Sequence, residues 1–119
     1  MLTLPYPPSA NRYWRSFRGR IVKSSEARTY QQAVGSLAGG TSTPLHTGAV
    51  GLQLNFYRPQ RRGDLDNRIK VLVDALQGVA YANDKQVTEL HAYLHDDKQN
   101  PRVEVDVWST IQTHKDLAT

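Results

Sequence analysis

The chain of 119 residues is long enough to bury one hydrophobic core and too short for two ordinary domains, so we expect a single domain. It contains no cysteine, which excludes disulfide bridges, thiolate zinc sites and cysteine nucleophiles. The net charge of +4 is uneven: residues 1–70 carry eleven Lys and Arg against three Asp and Glu, whereas residues 71–119 carry four against eight. The basic first part is typical of a protein that binds a polyanion, although a solvated arginine-rich surface has the same composition.

The sequence does not predict a membrane segment. No run approaches the roughly 18 apolar residues that cross a bilayer. Residues 1–5 lack the basic start and the long apolar stretch of a secretory signal. We therefore expect a soluble, cytoplasmic protein with no membrane partner.

The first elements predicted along the chain are a short strand and a rigid turn. Residues 2–4 are a brief apolar run, and residues 5–11 contain three prolines, which cannot donate to a strand ladder. Residues 12–20 interleave four arginines with three aromatic side chains. We interpret this segment as a loop that contacts phosphates and stacks on bases or sugars. In the alternative interpretation, its rings pack on the core beneath the arginine stems.

An amphipathic helix of about 13 residues is predicted next. Residues 24–26 (SSE) are typical of a helix start, and apolar residues then recur at helical spacing until Gly39 and Gly40. Residues 39–48 are rich in Gly, Thr, Ser and Pro, which indicates a connecting loop. The apolar positions of this helix are Ala27, Tyr30, Val34 and Leu37.

A strand with one buried face and a second helix follow. Leu52, Leu54 and Phe56 alternate with polar residues, which is the period of such a strand, and Pro59 ends it. From Leu65 the apolar period changes to that of a helix, and Gly78 is placed to serve as its C-terminal cap. The apolar stripe of the helix consists of Leu65, Ile69, Leu72, Val73 and Leu76.

Two further strands complete the predicted order of strand, helix, strand, helix, strand, strand. Residues 87–94 and 102–108 alternate at the strand period, and the polar residues between them suit a hairpin loop. This order predicts an α/β fold in which residues 1–108 form one domain, a mixed sheet of about four strands with two main helices and an antiparallel final hairpin. Residues 109–119 have weak patterning, which is typical of a mobile tail.

Carboxylates and basic side chains meet at the start of the second helix. Asp66 and Lys70 are four residues apart on its polar face, so both can face one ligand, and Asp64 lies at the helix entrance. Carboxylates among so many arginines weaken phosphate binding unless a divalent cation screens them, and Mg²⁺ prefers such oxygen ligands. Asp84 precedes the next strand and is expected at the same edge of the sheet as a third ligand.

These residues predict hydrolysis of a phosphodiester. The metal would hold a phosphate oxygen and activate a water, while Lys70 would orient or deprotonate that water or neutralise the phosphate. In the structural alternative, Asp64 caps the helix, Asp66 stabilises its first turn, and Lys70 pairs with Asp66 and Asp74 on the surface. The predicted nucleic-acid contacts are Asn11, Arg12, Arg15, Arg61, Arg62 and Arg68.

The same residues resemble a known family, the RusA Holliday-junction resolvases. The order and separations of the motifs agree from about residue 2 to residue 108. The resemblance implies acidic metal ligands at Asp64, Asp66 and Asp84 and an essential lysine at Lys70. Its motifs are residues 4–15 (LPYPPSANRYWR), residues 61–67 (RRGDLDN), Lys70, residues 74–76 (DAL) and residues 83–87 (NDKQV).

The resemblance further implies a bacterial or phage-encoded homodimeric endonuclease with a RusA-like fold. Such an enzyme uses Mg²⁺, with Mn²⁺ able to substitute, and resolves four-way DNA junctions by paired nicks. Two positions depart from the family pattern. Gly63 stands where a basic residue often precedes the first aspartate, and Asn83 replaces an acid, which leaves Asp84 as the available carboxylate there.

Two questions stay open at the level of sequence. The first is the dimer interface, for which the exposed members among Tyr13, Trp14, Phe17 and Trp108 are candidates. The second is catalysis itself, since a noncatalytic DNA-binding module or a phage scaffold protein with structural acids would share many of these features.

Overall fold

A four-stranded mixed sheet carries the two main helices on one of its faces. The computed structural model describes residues 1–39, 45–61 and 65–110. The predicted α/β class, with four strands and two main helices in a single domain, is confirmed. Within the described ranges, no helix is long and apolar enough to cross a membrane. The elements are β1 (Leu2–Leu4), α1 (Ala10–Tyr13), β2 (Trp14–Phe17), β3 (Arg20–Lys23), α2 (Ser25–Gly39), β4 (Val50–Arg58), α3 (Leu65–Ala75), a 3-10 helix (Asp84–Gln86), β5 (Val87–Asp96) and β6 (Arg102–Ser109).

The strand order of the sheet is β1-β6-β4-β5. β5 runs parallel to β4, whereas β6 runs antiparallel to both β4 and β1. The predicted hairpin of the last two strands is therefore wrong, because β4 lies between them. β4 suits this central position, since its residues Leu52, Leu54 and Phe56 are fully buried, whereas β5 keeps many exposed positions and suits an edge. The backbone amide of Asp97 donates to the carbonyl of Arg58 at 2.9 Å, so the connection passes around the end of β4.

The core lies between the sheet and the helices α2 and α3. Alternate residues of β4 and β6 point to this side, and Val103 and Val105 are as fully buried as their neighbours on β4. The opposite face of the sheet has no helix over it in the described ranges. Trp108 lies there across Gly51, where an added Cβ would come within 2.5 Å of the indole ring. A larger residue at position 51 would therefore force the Trp108 ring to move.

A short helix and a β-hairpin occupy the segment that the sequence interpretation made a loop. α1 places Tyr13 in the core, and β2 pairs with β3 across Arg18 and Gly19. Both turn residues have positive φ, 52° and 74°, as in the type I′ turns of two-residue hairpins. The loop interpretation is wrong because arginines occupy strand positions and hide the alternation. Tyr13 is fully buried, which removes it from the candidate dimer interface.

Buried tyrosines tie the connections to the helices. The hydroxyl of Tyr30 donates to the carbonyl of Pro5 at 2.7 Å, and that of Tyr81 donates to the carbonyl of Val73 at 2.7 Å. Burial raises the pKa of both phenols well above the ordinary value. Gly78 has the predicted left-handed φ of 82°, but its amide donates to the carbonyl of Tyr81 rather than to the end of α3. Gly78 thus closes the turn that leads towards Asp84.

The end of the described chain differs slightly from the predicted boundary. β6 continues through Ser109, and the amide of Thr110 donates to the carbonyl of Ala49 at 3.0 Å. Ser109 and Thr110 are therefore attached to the sheet rather than part of the predicted tail, and residues 111–119 lie outside the described residues.

Candidate active site

Asp66 and Lys70 lie on the exposed side of the first turns of α3. One carboxylate oxygen of Asp66, Oδ1, accepts a hydrogen bond from the backbone amide of Asn67 at 2.9 Å. The ammonium of Lys70 lies 5.6 Å from the centre of the Trp14 ring. Among the described residues, no ion pair joins Lys70 to Asp66 or Asp74. The alternative in which Lys70 serves as a surface salt bridge to these two aspartates is therefore wrong.

The turn that carries Asp84 is fixed by side-chain amides. Oε1 of Gln86 accepts hydrogen bonds from the backbone amides of Ala82 and Asn83, and its Nε2 donates to the carbonyls of His46 and Gly48, both at 2.9 Å. Oδ1 of Asn83 in turn accepts from the amide of Lys85 at 2.9 Å, so Asn83 caps the 3-10 helix. Asn83, which stands where the family resemblance implies an acid, therefore caps this helix without adding a second negative charge beside Asp84.

The carboxylate of Asp84 itself is exposed and has no hydrogen-bond or ion-pair partner within the described part of the chain. Its backbone amide donates to Oε1 of Gln77 on the turn after α3, at 3.1 Å. A backbone held in place with an unpartnered carboxylate is the arrangement expected of a group that takes an external ligand.

Asp74 connects this turn to the first part of the chain. Its Oδ2 accepts from the hydroxyl of Tyr13 at 2.6 Å and pairs with the ammonium of Lys23 at 2.9 Å, while Oδ1 accepts from Nε2 of Gln77 at 3.1 Å. The side chain of Asp74 is 17% exposed. Burial, followed by the hydrogen bond to Asp74, raises the pKa of Tyr13. Because its oxygens are already engaged, Asp74 is a structural carboxylate rather than a ligand group.

The N-terminal segment is bound to α3 by two neighbouring residues. Oδ1 of Asn67 accepts a hydrogen bond from the amide of Ala10. Nη1 of Arg68 donates to the carbonyl of Pro7 at 2.8 Å, and its guanidinium lies 5.1 Å from the centre of the Tyr6 ring. These contacts place α1 beside Lys70. They also give Arg68, a predicted DNA contact, an intramolecular role.

The other predicted nucleic-acid contacts that the structure describes are exposed. Asn11 and Arg15 lie next to Lys70, around one groove. Arg12 pairs with Glu26 at 2.9 Å, and Arg61 pairs with Asp96 at 3.2 Å. Arg58 first, and then Arg61, hold the pKa of Asp96 below its usual range. The charges of Arg12 and Arg61 are thus partly balanced within the protein, whereas that of Arg15 has no carboxylate partner in the described ranges.

Two predicted residues lie outside the described residues, namely Arg62 and Asp64, and Gly63 lies with them. Within the described ranges, no group of three His, Cys, Asp or Glu side chains is arranged to hold a metal ion. The three-carboxylate set therefore stays a prediction. The described members, Asp66 and Asp84, are both exposed oxygen donors, which suits a hard divalent cation.

Comparison with known proteins decides the family. The family model described as Endodeoxyribonuclease RusA matches residues 5–108. The chain belongs to the RusA family.

Named relatives within the RusA family are moderately similar to the chain. A crossover junction endodeoxyribonuclease rusA of Enterobacteria phage 82 is 36% identical over 91 residues, which cover 74% of this chain and 76% of the relative. The proteins named crossover junction endodeoxyribonuclease RusA from Escherichia coli K12 and Shigella sonnei are each 35% identical over the same shares. The RusA match contains every predicted site residue, from Asn11 to Asp84.

Sequence reasoning missed several residues that build this RusA-family site. Asn67, Gln77 and Gln86 each position the backbone of another segment through a side-chain amide. The three-residue spacing of Asp74 and Gln77 on one helix face was visible in the sequence. Their partner segments were not, because hydrogen bonds to distant backbone groups leave no periodic signal.

Proposed function

We propose that this protein is a metal-dependent endonuclease that cuts branched DNA. Membership of the RusA family supports the reaction class, since the named relatives are crossover junction endodeoxyribonucleases. The observation that carries the proposal is that the exposed carboxylates of Asp66 and Asp84 have no side-chain partner among the described residues. The neighbouring side chains of Asn67 and Gln77, in contrast, hydrogen-bond to the backbone of other segments. Glu26 and Asp96, by contrast, each pair with an arginine.

Asp64, Asp66 and Asp84 are the residues that would hold Mg²⁺, or Mn²⁺ in its place. When bound, such an ion lowers the pKa of water and offsets charge on the phosphate. The protein's own contribution is positional. Asn67 and Gln77 fix the segments that carry the carboxylates, and Lys70 presents an ammonium that neutralises charge on the phosphate or orients the attacking water.

The exposed arginines are proposed to bind the phosphates that flank the cut. Arg15 supplies an unbalanced positive charge beside Lys70, whereas Arg12 and Arg61 would exchange a carboxylate partner for phosphate. Asn11 is proposed to contact the same strand from α1. The predicted set also contains Arg62, which lies outside the described residues, and Arg68, which donates to Pro7.

The preferred substrate is proposed to be a four-way junction, cut by a homodimer with one site per subunit. A four-way junction has near two-fold symmetry, and its resolution requires two opposed nicks, so a symmetric dimer fits the task. We place this activity in the cytoplasm of a bacterial cell, encoded by the bacterium or by a phage.

The experiment that tests the function is gel analysis of a labelled synthetic four-way junction, with a duplex of the same sequence as the control. We expect paired nicks in the junction with Mg²⁺ and none with a chelator. Binding of the junction without cutting under any divalent cation would instead identify a noncatalytic DNA-binding module. If the protein neither binds nor cuts the junction, the whole proposal is contradicted.

A further inference from the structure

A groove of about 590 Å³ separates the β2–β3 hairpin from α3 beside Lys70. Trp14, Ser16 and Ile21 line its hairpin side. The strand register explains this, because Ser16 faces Ile21 directly and Trp14 lies two positions along on the same face. Asn11 of α1 lines the groove between the hairpin and Lys70. Its volume lies within the range of sites that hold small, flat ligands and is too small for a duplex.

The groove combines exposed apolar surface with unpartnered polar groups. Ile21 is 75% exposed, although a β-branched apolar residue gains nothing from water contact. Trp14 is partly exposed, and its ring has the ammonium of Lys70 at one side. The side chains of Asn11 and Ser16 have no hydrogen-bond partner among the described residues. An aromatic ring, an aliphatic wall and a free amide together suit a nucleobase, which has a flat face and a hydrogen-bonding edge.

The hairpin also supplies charge for the strand that carries such a base. Residues 10–23 contain no acidic residue, and Arg15, Arg18 and Arg20 are exposed along the hairpin. The guanidinium groups of Arg15 and Arg18 lie 5.6 and 5.2 Å from the centre of the Phe17 ring. A basic arm with stacking rings is the arrangement by which proteins follow a single nucleic-acid strand.

We propose that this groove binds one unstacked nucleobase of the strand whose phosphate lies at the acidic site. Trp14 and Ile21 would offer the base aromatic and apolar surface from the hairpin side, and Asn11 would bond its edge. The inference rests on the proposed function, because it takes the path of the strand from the acidic residues. It adds a reason for preferring branched DNA, since a base is removed from its stack at lower cost where stacking is already interrupted.

Tryptophan fluorescence tests the groove directly. The sequence has two tryptophans, so Trp108→Phe leaves Trp14 as the single reporter. Titrations without divalent metal would compare a four-way junction, a single strand, a duplex and a single strand with abasic sites. We expect the junction and the intact single strand to quench Trp14, and the duplex and abasic strand to bind without quenching. Equal quenching by the duplex or by the abasic strand would overturn the proposal.

A matched pair of surface variants provides a second test. Ile21→Ser should weaken binding of the intact single strand by at least about fivefold, or about 1 kcal/mol, because the base loses an apolar contact surface. It should leave the abasic strand unaffected. The control Leu37→Ser changes a 52% exposed leucine on α2 and should change neither affinity. If Ile21→Ser and Leu37→Ser bind the intact strand with equal affinity, the proposal that the groove binds a base is overturned.

The two proposals fail separately in these experiments. If the Ile21→Ser variant cuts the junction normally and binds the intact strand with unchanged affinity, the proposed function stands and the proposal for the groove is wrong. If Trp14 shows base-dependent quenching but the protein cuts no junction with Mg²⁺, the proposal for the groove stands and the proposed nuclease activity is wrong.

Discussion

The side-chain oxygen of Gln77 accepts a hydrogen bond from the backbone amide of Asp84 at 3.1 Å. The same side chain donates through Nε2 to Oδ1 of Asp74 at 3.1 Å. The Gln77 amide therefore links Asp74, whose carboxylate is hydrogen-bonded, to the turn that carries Asp84, whose carboxylate has no partner among the described residues. Both bonds run in fixed directions, so an apolar or acidic side chain cannot replace the amide.

Replacing Gln77 with leucine should raise the Mg²⁺ concentration for half-maximal cleavage roughly tenfold or more, because groups that position metal ligands commonly contribute 10–100-fold to metal affinity. The measurement is the initial cleavage rate as a function of Mg²⁺ concentration. Gln32→Leu, an exposed glutamine on α2, is the control. If Gln77→Leu lowered the thermal midpoint while its Mg²⁺ dependence matched that of the control, Gln77 would be structural alone.

Replacing Asp64, Asp66 or Asp84 singly with asparagine should abolish cutting and leave junction binding intact or tighter. Each change removes a proposed metal ligand and a charge that repels phosphate. Cleavage and gel-shift assays on the same preparations separate the two effects. Asp106→Asn, on a partly exposed carboxylate of β6, should cut normally. Nicking at the wild-type rate by any of the three variants would remove that residue from the site.

Replacing Arg15 with alanine should weaken binding to all sequences alike and make the slope of log affinity against log salt shallower by about 0.9, the value for one lost phosphate contact. Arg12→Ala and Arg61→Ala should have smaller effects, since each arginine already has a carboxylate partner. Filter binding across a salt series measures the slopes. Lys98→Ala, next to Asp97, serves as the control. A slope for Arg15→Ala equal to that of the control would place Arg15 away from DNA.

Mixing active chains with Asp66→Asn chains tests the proposed dimer. Mixed dimers should nick one strand of the junction without resolving it, because only one of their two sites can cut. A plasmid-borne junction distinguishes single nicks from resolution, and light scattering at the same concentration gives the mass of the active species. A monomeric active species, with nicking and resolution reduced in equal proportion, would contradict the paired-site mechanism.

Stability should fall as pH rises above about 10, where free tyrosine ionises. Burial raises the pKa values of Tyr13, Tyr30 and Tyr81, so these phenols stay neutral in the folded chain while the unfolded chain loses their protons. Each contributes up to about 1.4 kcal/mol per pH unit. Urea unfolding at several pH values should therefore give a shallower decline for Tyr30→Phe. Identical declines in the variant and the unchanged chain would contradict the assignment.

The sequence predicted the main elements because each has a strong period. β4 and α3 combine regular apolar spacing with clear ends. Leu52, Leu54 and Phe56 of β4 are fully buried. Of the predicted α3 stripe, Leu72 and Leu76 are fully buried, whereas Leu65, Ile69 and Val73 are only partly buried. The pairing of β5 and β6 was predicted wrongly, since alternation along a strand states which face is buried and not which strand lies beside it. The hairpin of residues 14–23 was missed for a related reason: exposed arginines on both strands leave little contrast between its faces.

The candidate site divides in the same way. Asp66 stands out because it is an acid within a basic segment, Lys70 because it lies four residues further along the same helix face, and Asp84 because it precedes a strand; their roles stay predictions. The hydrogen bond and the ion pair of Asp74 are not predictable from the sequence, because its partners Tyr13 and Lys23 lie more than 50 residues away in the chain. Local spacing places Asp74 on the polar face of α3, and the contacts of Tyr13 and Lys23 on that face make it a partly buried link between segments.

The position of β6 has a consequence for the order in which the molecule folds. β6 is the last described strand in the sequence, yet it pairs with β1 on one side and with β4 on the other. During synthesis, the first strand must therefore wait for about a hundred residues before its partner leaves the ribosome. Such distant pairings close slowly, and until then the edges of β1 and β4 are open to other chains. Completion of the sheet thus waits for β6, and aggregation during expression should be sensitive to changes in β6.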